Sequence, residues 1–226
     1  MSFKRVYYPD RYATGLDLTK RCIAIGFRFA GHPTTQEPNI EETLVAASIA
    51  GVSGDLRMLS LLTDWIDIHF SWINVDHLTT LVAANDDKRV QVFWTACAQW
   101  KKTDSRFQKL RNLSKGKRVP LISDPTGFLL KRSGEDPRFK ETILLIPNKT
   151  LRHRPVDIDP PERLSKMHKA YRYRIMFGPT YRADLLATLE REPAISTADL
   201  ARRCYSSFSA AWEAKKDFEI LNSKTA

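Results

Sequence analysis

The C-terminal third of the chain carries apolar side chains at helical spacing, and turn signals interrupt the pattern at two places. Pro193 ends a first helix that Thr180 can cap, and Ser196 is a good N-cap for a short second helix. Ser206 and Ser207 precede a third. The apolar positions are Leu185, Leu186, Leu189, Leu200, Cys204, Phe208, Trp212 and Phe218. The sequence therefore predicts three helices around a small core, with the aromatic side chains of the third helix facing inward.

A helix, a short second helix, a turn and a third helix form the layout of a helix-turn-helix unit, whose last helix enters the DNA major groove. The third helix, roughly Ser209 to Phe218, would read base edges, and cations at the end of the second would meet phosphates. The predicted contacts are Arg202, Arg203, Ser207, Ser209, Glu213, Lys215 and Lys216. The alternative is a small helical bundle with solvated lysines, because acidic residues alternate with the basic ones.

The run ISTADLARRCYSSFSAAWEAKKDFEIL resembles the winged-helix domains of prokaryotic regulators and of antitoxins that repress their own operons. The resemblance covers roughly the last 45 residues. It implies a DNA-binding transcription regulator, in its most specific form an antitoxin or phage-defence regulator. Only residues 219–221 are available to begin a wing strand. Three alternatives stay open: a rudimentary wing, a strand supplied from elsewhere, or a plain helix-turn-helix.

The net charge of +10 and the pI near 9.6 favour an anionic partner, with nucleic acid first and a membrane surface second. No run of 18 apolar residues predicts a spanning helix, and the N-terminal residues lack the apolar core of a secretory signal. Three widely separated cysteines are typical of a reduced protein. We therefore expect a cytoplasmic protein that does not interact with membranes.

Residues 1–118 are predicted to form a mainly helical domain. Helices are expected over residues 41–50, 56–69, 74–83 and 87–100, with Gly51 stopping the first and Asp86 or Asp87 capping the last. Such helices suit an antiparallel bundle or a fragment of an α-solenoid. A strand is expected over residues 21–29. This domain would serve homodimerisation or bind a partner protein.

Residues 101–118 form a strip with a single acid, Asp104, among many cations. Phe107 and Leu110 are spaced to dock a basic helix on the bundle. Such dense like charges repel one another unless an anion offsets them, which favours phosphate contact. The pattern is about equally compatible with a solvated helix face followed by a linker, which would make no phosphate contact. The cations are Lys101, Lys102, Arg106, Lys109, Arg111, Lys115, Lys117 and Arg118.

Residues 119–160 are predicted to hold a small antiparallel β segment and a linker. The candidate strands are residues 119–123, 128–131 and 142–146, separated by turn sequences. Residues 161–226 would contain a connector helix, 162–176, and the helix-turn-helix domain. The fold class expected is thus α+β, mainly α, with an N-terminal helical bundle.

No sequence motif for nucleotide binding, serine hydrolysis or zinc ligation is present. His69 and His77 with Asp67 and Asp76 come nearest to a metal cluster, but their spacing spans a helix break. Residues 131–136 imitate a nuclease site, and turn chemistry explains each of them. We therefore expect a non-enzymatic, double-stranded DNA-binding protein without metal or cofactor. The alternatives are a protein-interaction scaffold and a nucleic-acid-processing enzyme.

Overall fold

The computed structural model describes residues 8–121 and 126–222, and most of them are helical. The α-helices are α1 Gly15–Ala24, α2 Ile40–Val52, α3 Leu56–His69, α4 Val75–Ala83, α5 Lys88–Trp100, α6 Gln108–Arg111, α7 Thr126–Ser133, α8 Pro161–Met167, α9 Lys169–Phe177, α10 Tyr181–Arg191, α11 Thr197–Arg203 and α12 Phe208–Asn222. Short 3-10 turns lie at Phe70–Trp72, Ser105–Phe107 and Pro155–Asp157. The strands are β1 Val119–Pro120 and β2 Leu144–Leu145. The mainly helical class is confirmed.

Four helices of the N-terminal bundle begin at polar side chains that cap free backbone N–H groups. Asn39 accepts from the N–H of Glu42 at 3.0 Å, and Asp55 accepts from Met58 at 2.9 Å. Asn74 and Asp87 cap α4 and α5 in the same way. Such caps each stabilise a helix by about 1 kcal/mol. The predicted helices over residues 56–69, 74–83 and 87–100 are confirmed.

Helix α2 lies at the centre of the bundle, against α1, α3, α4 and α5. It is buried on nearly all sides, as expected for a helix that is apolar all round. Two tryptophans complete the core with satisfied indole groups. Trp65 donates to the carbonyl of Ile25 at 2.7 Å, and Trp94 donates to Ser48 Oγ at 3.0 Å. The bundle therefore has a packed interior with specific polar contacts.

Gly51 does not stop α2, which continues to Val52, so the predicted end of this helix is wrong. Position 51 requires a residue as small as glycine, because α3 passes close to α2 there. A Cβ atom at position 51 would lie 2.6 Å from Cδ1 of Leu59. The small residue permits the close approach of α2 and α3, and the packing outweighs its low helix propensity.

Gly51→Ala is expected to destabilise the protein by about 1–2 kcal/mol, because overpacking against Leu59 exceeds the gain in helix propensity. Denaturant unfolding followed by circular dichroism measures the change. Gly127→Ala in α7 is the matched control, because a Cβ there meets no atom within 4 Å. An unchanged or increased stability of Gly51→Ala would contradict this packing.

The strand predicted over residues 21–29 is wrong, because residues 21–24 form the end of α1 and a turn follows them. Leu18 and Cys22, one helical turn apart, are buried against α2. This packing overrides the β propensity of the segment. Gly26, with φ +97°, then turns the chain, and Phe27 makes a single antiparallel bridge to Ile158.

The small sheet is parallel, so the predicted antiparallel arrangement is also wrong. Val119 donates its N–H to Ile143 O at 2.8 Å, and Leu121 donates to Leu145 O at 3.0 Å. Residues 128–131, predicted as a strand, lie in α7. A helix between two strands allows the crossover that parallel pairing requires, whereas a tight hairpin does not. Residues 122–125, which include one end of a predicted strand, lie outside the described residues.

The predicted connector helix over residues 162–176 is interrupted at His168 and forms α8 and α9. His168 is buried and caps α9, accepting from the N–H of Tyr171 at 3.3 Å. Burial lowers the pKa of His168 more than the neighbouring Glu37 raises it. The neutral ring can therefore accept at Nδ1 while Nε2 lies 3.1 Å from the carbonyl of Pro38.

A buried ion cluster joins the C-terminal helices to the bundle. The guanidinium group of Arg174 in α9, 1% exposed, donates to Glu41 of α2 at 2.6 and 2.8 Å. It also donates to Asp184 of α10 at 2.8 and 2.9 Å. Burial alone would raise the pKa of Glu41, but the charge and hydrogen bonds of Arg174 and the neighbouring His77 together outweigh it and hold that pKa well below its usual range. Glu41 is therefore a fixed anion at this junction.

Candidate nucleic-acid interface

Helices α10, α11 and α12 pack around a second, smaller core, close to the bounds predicted for them. Ser196 caps α11 by accepting from the N–H of Asp199 at 3.1 Å, as expected from the sequence. The core consists of Leu185, Leu189, Ile195, Leu200, Ala201, Cys204, Ala211 and Ala214. This packing fixes the angle at which α12 follows α11.

The turn between α11 and α12 is fixed on the N-terminal bundle by Tyr205. This residue has φ +54°, a left-handed conformation that non-glycine residues seldom adopt. Its hydroxyl donates to Oε2 of Glu42 at 2.8 Å, and its ring lies 4.2 Å from that of His77. Ser207 then caps α12 by accepting from the N–H of Ala210 at 3.1 Å. The bundle therefore orients the beginning of α12.

The aromatic side chains at the start of α12 face solvent, so the prediction that they are buried is wrong. Phe208 is 60% exposed and Trp212 is 53% exposed. Ala211 and Ala214 form the buried face instead, and Phe218 packs beside them. Because small residues let α12 approach its neighbours closely, no room remains for an indole in this core.

An exposed stripe follows α12 at a spacing of four residues: Phe208, Trp212, Lys216 and Ile220. Nζ of Lys216 lies 5.6 Å from the centre of the Trp212 ring, within range of a cation–π interaction. We call these four residues the α12 stripe. It combines apolar area with positive charge on one face of one helix.

The other predicted contacts on α11 and α12 differ in how accessible their charges are. Ser207, Ser209 and Glu213 are exposed, as is Lys216. Lys215 donates from Nζ to the carbonyl of Ile195 at 2.9 Å and is half-buried. Of the two lysines, Lys216 therefore offers the more available charge.

Arg202 and Arg203 lie at the edge of a polar groove of about 740 Å³ between the α1–α2 connection and helices α10 and α11. Arg202 pairs with Asp199, and Arg203 pairs with Glu192 at 2.7 Å. All four side chains are largely exposed. Such surface pairs contribute about 0–1 kcal/mol each, so these arginines can exchange partners at little cost.

The basic strip over residues 101–118 is largely neutralised by acids that are distant in sequence. Lys101 pairs with Asp67, Lys102 with Glu141 at 2.9 Å, Lys109 with Asp76 at 3.9 Å and Arg118 with Glu135 at 2.7 Å. Arg106 pairs locally with Asp104, and Arg111 donates to three backbone carbonyls. Lys115 and Lys117 are exposed and make no ion pair within the described part of the chain.

The strip docks on the bundle through Phe107 and Leu110, as their spacing predicted. Phe107 ends a 3-10 turn, and Leu110 lies on the single turn of α6 that follows it. The ion pairs of the strip offset much of the self-repulsion that suggested phosphate contact. Within the described part of the strip, Lys115 and Lys117 are the exposed cations that remain available to a phosphate.

Residues considered for other chemistry are held in structural contacts. His69 is buried between Tyr171 and the carbonyl of Asp159, and burial lowers its pKa to about 4. In the nuclease-like segment, Glu135 pairs with Arg118 and Asp136 with Arg138. Among residues 8–121 and 126–222, no group of three or more His, Cys, Asp or Glu is arranged to hold a metal ion. The same residues contain no helix that is long and apolar enough to span a membrane.

The surface positions of Phe208 and Trp212 were not predicted from the sequence. A signal was present: Ala211, Ala214 and Phe218 recur at intervals of three and four, which defines one helix face that excludes Trp212. The large apolar side chain of Trp212 instead suggested that its own face of the helix is buried. The spacing of the small residues Ala211 and Ala214 identifies the face that is buried in the structure.

The chain matches no protein-family model, no curated protein and no solved structure. The α12 stripe, on a helix whose beginning the bundle orients, is the surface feature that distinguishes the C-terminal helices.

Proposed function

We propose that the protein binds double-stranded DNA and that α12 is the helix that enters the major groove. The α12 stripe carries this proposal. Neighbouring exposed apolar side chains such as Phe208 and Trp212 often mark a surface that a partner covers. Lys216 beside the indole adds the charge that a polyanion requires.

The layout around the stripe supports this proposal. A short helix and a four-residue turn precede α12, and Ser207, Ser209 and Glu213 are exposed on its first turns. In proteins that read DNA through such a layout, the start of the last helix reaches base edges. Arg202 and Arg203 remain proposed phosphate contacts, since DNA phosphates can replace their exposed acidic partners.

In its more specific form, the proposal is a cytoplasmic transcription regulator of the antitoxin or phage-defence kind. The N-terminal bundle would then mediate homodimerisation or bind a partner protein. Twofold symmetry would place two copies of α12 on half-sites about one helical turn of DNA apart. A gene for a toxin beside that of this protein is the expected genomic context.

Fluorescence anisotropy with a labelled duplex of mixed sequence tests the proposal. We expect the logarithm of affinity to fall linearly with the logarithm of salt concentration, because cations on the protein displace counterions from DNA. Lys216→Gln should lower the magnitude of the slope by about one.

Lys215→Gln is the matched control, because the ammonium group of Lys215 already has a partner within the protein. The Lys215→Gln variant should leave the salt slope unchanged, and its circular dichroism spectrum is compared with that of the unmodified protein to check that it is folded. Absence of binding at low salt would contradict DNA binding. The stripe would then belong to a protein interface, as the scaffold alternative requires.

A further inference from the structure

A second cavity, of about 640 Å³, lies between the ends of α3 and α5 and the segments 136–138 and 148–154. Sites for small molecules commonly have volumes of about 300–1,000 Å³. Its wall contains Arg138, Lys149, Arg152, His153 and Arg154 but only two acids, Asp67 and Asp136. We call it the Arg152 cavity. No residue of the α12 stripe lines this cavity.

The acids of the cavity wall are already compensated within the protein. Asp136 accepts from Nε and Nη2 of Arg138 at 2.9 and 2.7 Å, and Asp67 pairs with Lys101. Burial alone would lower the pKa of Arg138, but the ion pair with Asp136 and the charges of Asp64 and Asp67 together outweigh it, so this pKa is raised. Arg138 is therefore a cation held by Asp136 and, at 3.4 Å, by the buried Asp64. The charge left over in the wall is therefore positive.

That surplus resides in Lys149 and Arg152. Both side chains are exposed, and neither makes an ion pair with any residue of the described ranges. Lys149 has φ +67°, a conformation that costs a non-glycine residue free energy and is often found at binding sites. Arg154 pairs only with the half-exposed Asp157 at 3.0 Å. An anion entering the cavity thus meets two cations, Lys149 and Arg152, that need not break an ion pair with another described residue in order to bind it.

His153 is oriented by a buried carboxylate. Its Nδ1 lies 2.7 Å from Oδ1 of Asp64, a residue that is 1% exposed, whereas the His153 side chain is 60% exposed. Oδ2 of Asp64 accepts from the backbone N–H of Arg154 at 2.6 Å. An ionised carboxylate can only accept, so Nδ1 of His153 carries a hydrogen. Nε2 has no partner in the described part of the protein and remains available to a ligand.

We propose that the Arg152 cavity binds the phosphate group of a nucleotide-sized small molecule through Arg152, Lys149 and Nε2 of His153. Arginine suits phosphate because its planar donors match two oxygens at once. A phosphate monoester and an imidazole share one hydrogen bond whichever of them carries the proton. The cavity is large enough for the remainder of a mononucleotide.

Isothermal titration calorimetry of the full chain tests this proposal in three arms: inorganic phosphate, a nucleoside monophosphate and duplex DNA. We expect the first two to bind and Arg152→Ala to weaken both by about tenfold, since a charge-assisted contact is lost. His153→Asn should weaken them by about fivefold, because the amide nitrogen can replace Nδ1 toward Asp64 but nothing replaces Nε2.

Arg132→Ala is the matched control, because Arg132 is an exposed arginine of α7 that lies outside the cavity and makes no ion pair within residues 8–121 and 126–222. It should change the affinity by less than about twofold, as expected for a surface charge. Absence of phosphate and nucleotide binding at millimolar concentration would overturn the proposal. So would equal losses in Arg152→Ala and Arg132→Ala, or an effect of Arg152→Ala on DNA alone. The two small-ligand arms contain no DNA, so their outcome does not depend on α12.

Discussion

Trp212→Ala is expected to weaken binding of duplex DNA by about thirtyfold while the protein remains folded. Loss of a buried aromatic anchor from an interface costs roughly 2 kcal/mol or more, which corresponds to this factor. The indole is 53% exposed in the free protein and contributes little to its core. A surface substitution of this kind changes the free energy of unfolding by less than about 0.5 kcal/mol.

Anisotropy and denaturant unfolding measure the two effects in the same preparation. Phe128→Ala is the matched control, because Phe128 is 64% exposed but belongs to α7. It should alter neither DNA affinity nor stability. If Trp212→Ala loses several kcal/mol of stability, the side chain is part of the core after all. If it binds DNA as tightly as the unmodified protein, the α12 stripe is not the contact surface.

Arg174→Met is expected to destabilise the protein by about 3–5 kcal/mol. This loss is larger than the one expected for Gly51→Ala. The change leaves Glu41, 0% exposed, and Asp184, 6% exposed, without their cation. Breaking a buried ion pair on one side costs this much because an uncompensated charge remains inside. Denaturant unfolding should show the loss as a lower midpoint.

Arg182→Met is the control for this prediction, because Arg182 forms an exposed pair with Asp217 at 2.7 Å on the same helix as Asp184. Its cost should stay within about 1 kcal/mol. Adding Glu41→Gln and Asp184→Asn to Arg174→Met should recover part of the stability, since no buried charge then remains. A cost of Arg174→Met no larger than that of Arg182→Met would contradict the role of this cluster as the junction.

Local signals predicted the helices whose ends are capped by side chains. Asp55, Asn74, Asp87 and Ser196 each precede a helix found close to its expected bounds. Capping is a contact between neighbours in sequence, so it can be read without knowing the fold. The prediction for residues 21–29 failed because α1 packs against α2, and this packing outweighs the β propensity of the segment. Residues 128–131 in α7 are exposed or half-exposed, so packing does not explain why they form a helix and not a strand.

The charged and aromatic surfaces were harder to predict, since they depend on long-range contacts. Nothing near Lys102 or Lys109 in sequence indicates that Glu141 and Asp76 pair with them. The orientation of Trp212 depends on which face of α12 meets α10 and α11. The Arg152 cavity also combines α3 with a loop some 90 residues later, since Asp64 and His153 are 89 positions apart.

The most direct test of DNA contact through α12 is the nuclear magnetic resonance spectrum of the tryptophan indole N–H groups. The chain has five tryptophans, and Trp212→Phe assigns the signal of interest. Trp65 and Trp94 donate to Ile25 and Ser48 in the core and serve as internal references. On titration with duplex DNA, the Trp212 signal is predicted to shift or broaden while both references stay in place. DNA binding that leaves the Trp212 signal unmoved would contradict the account.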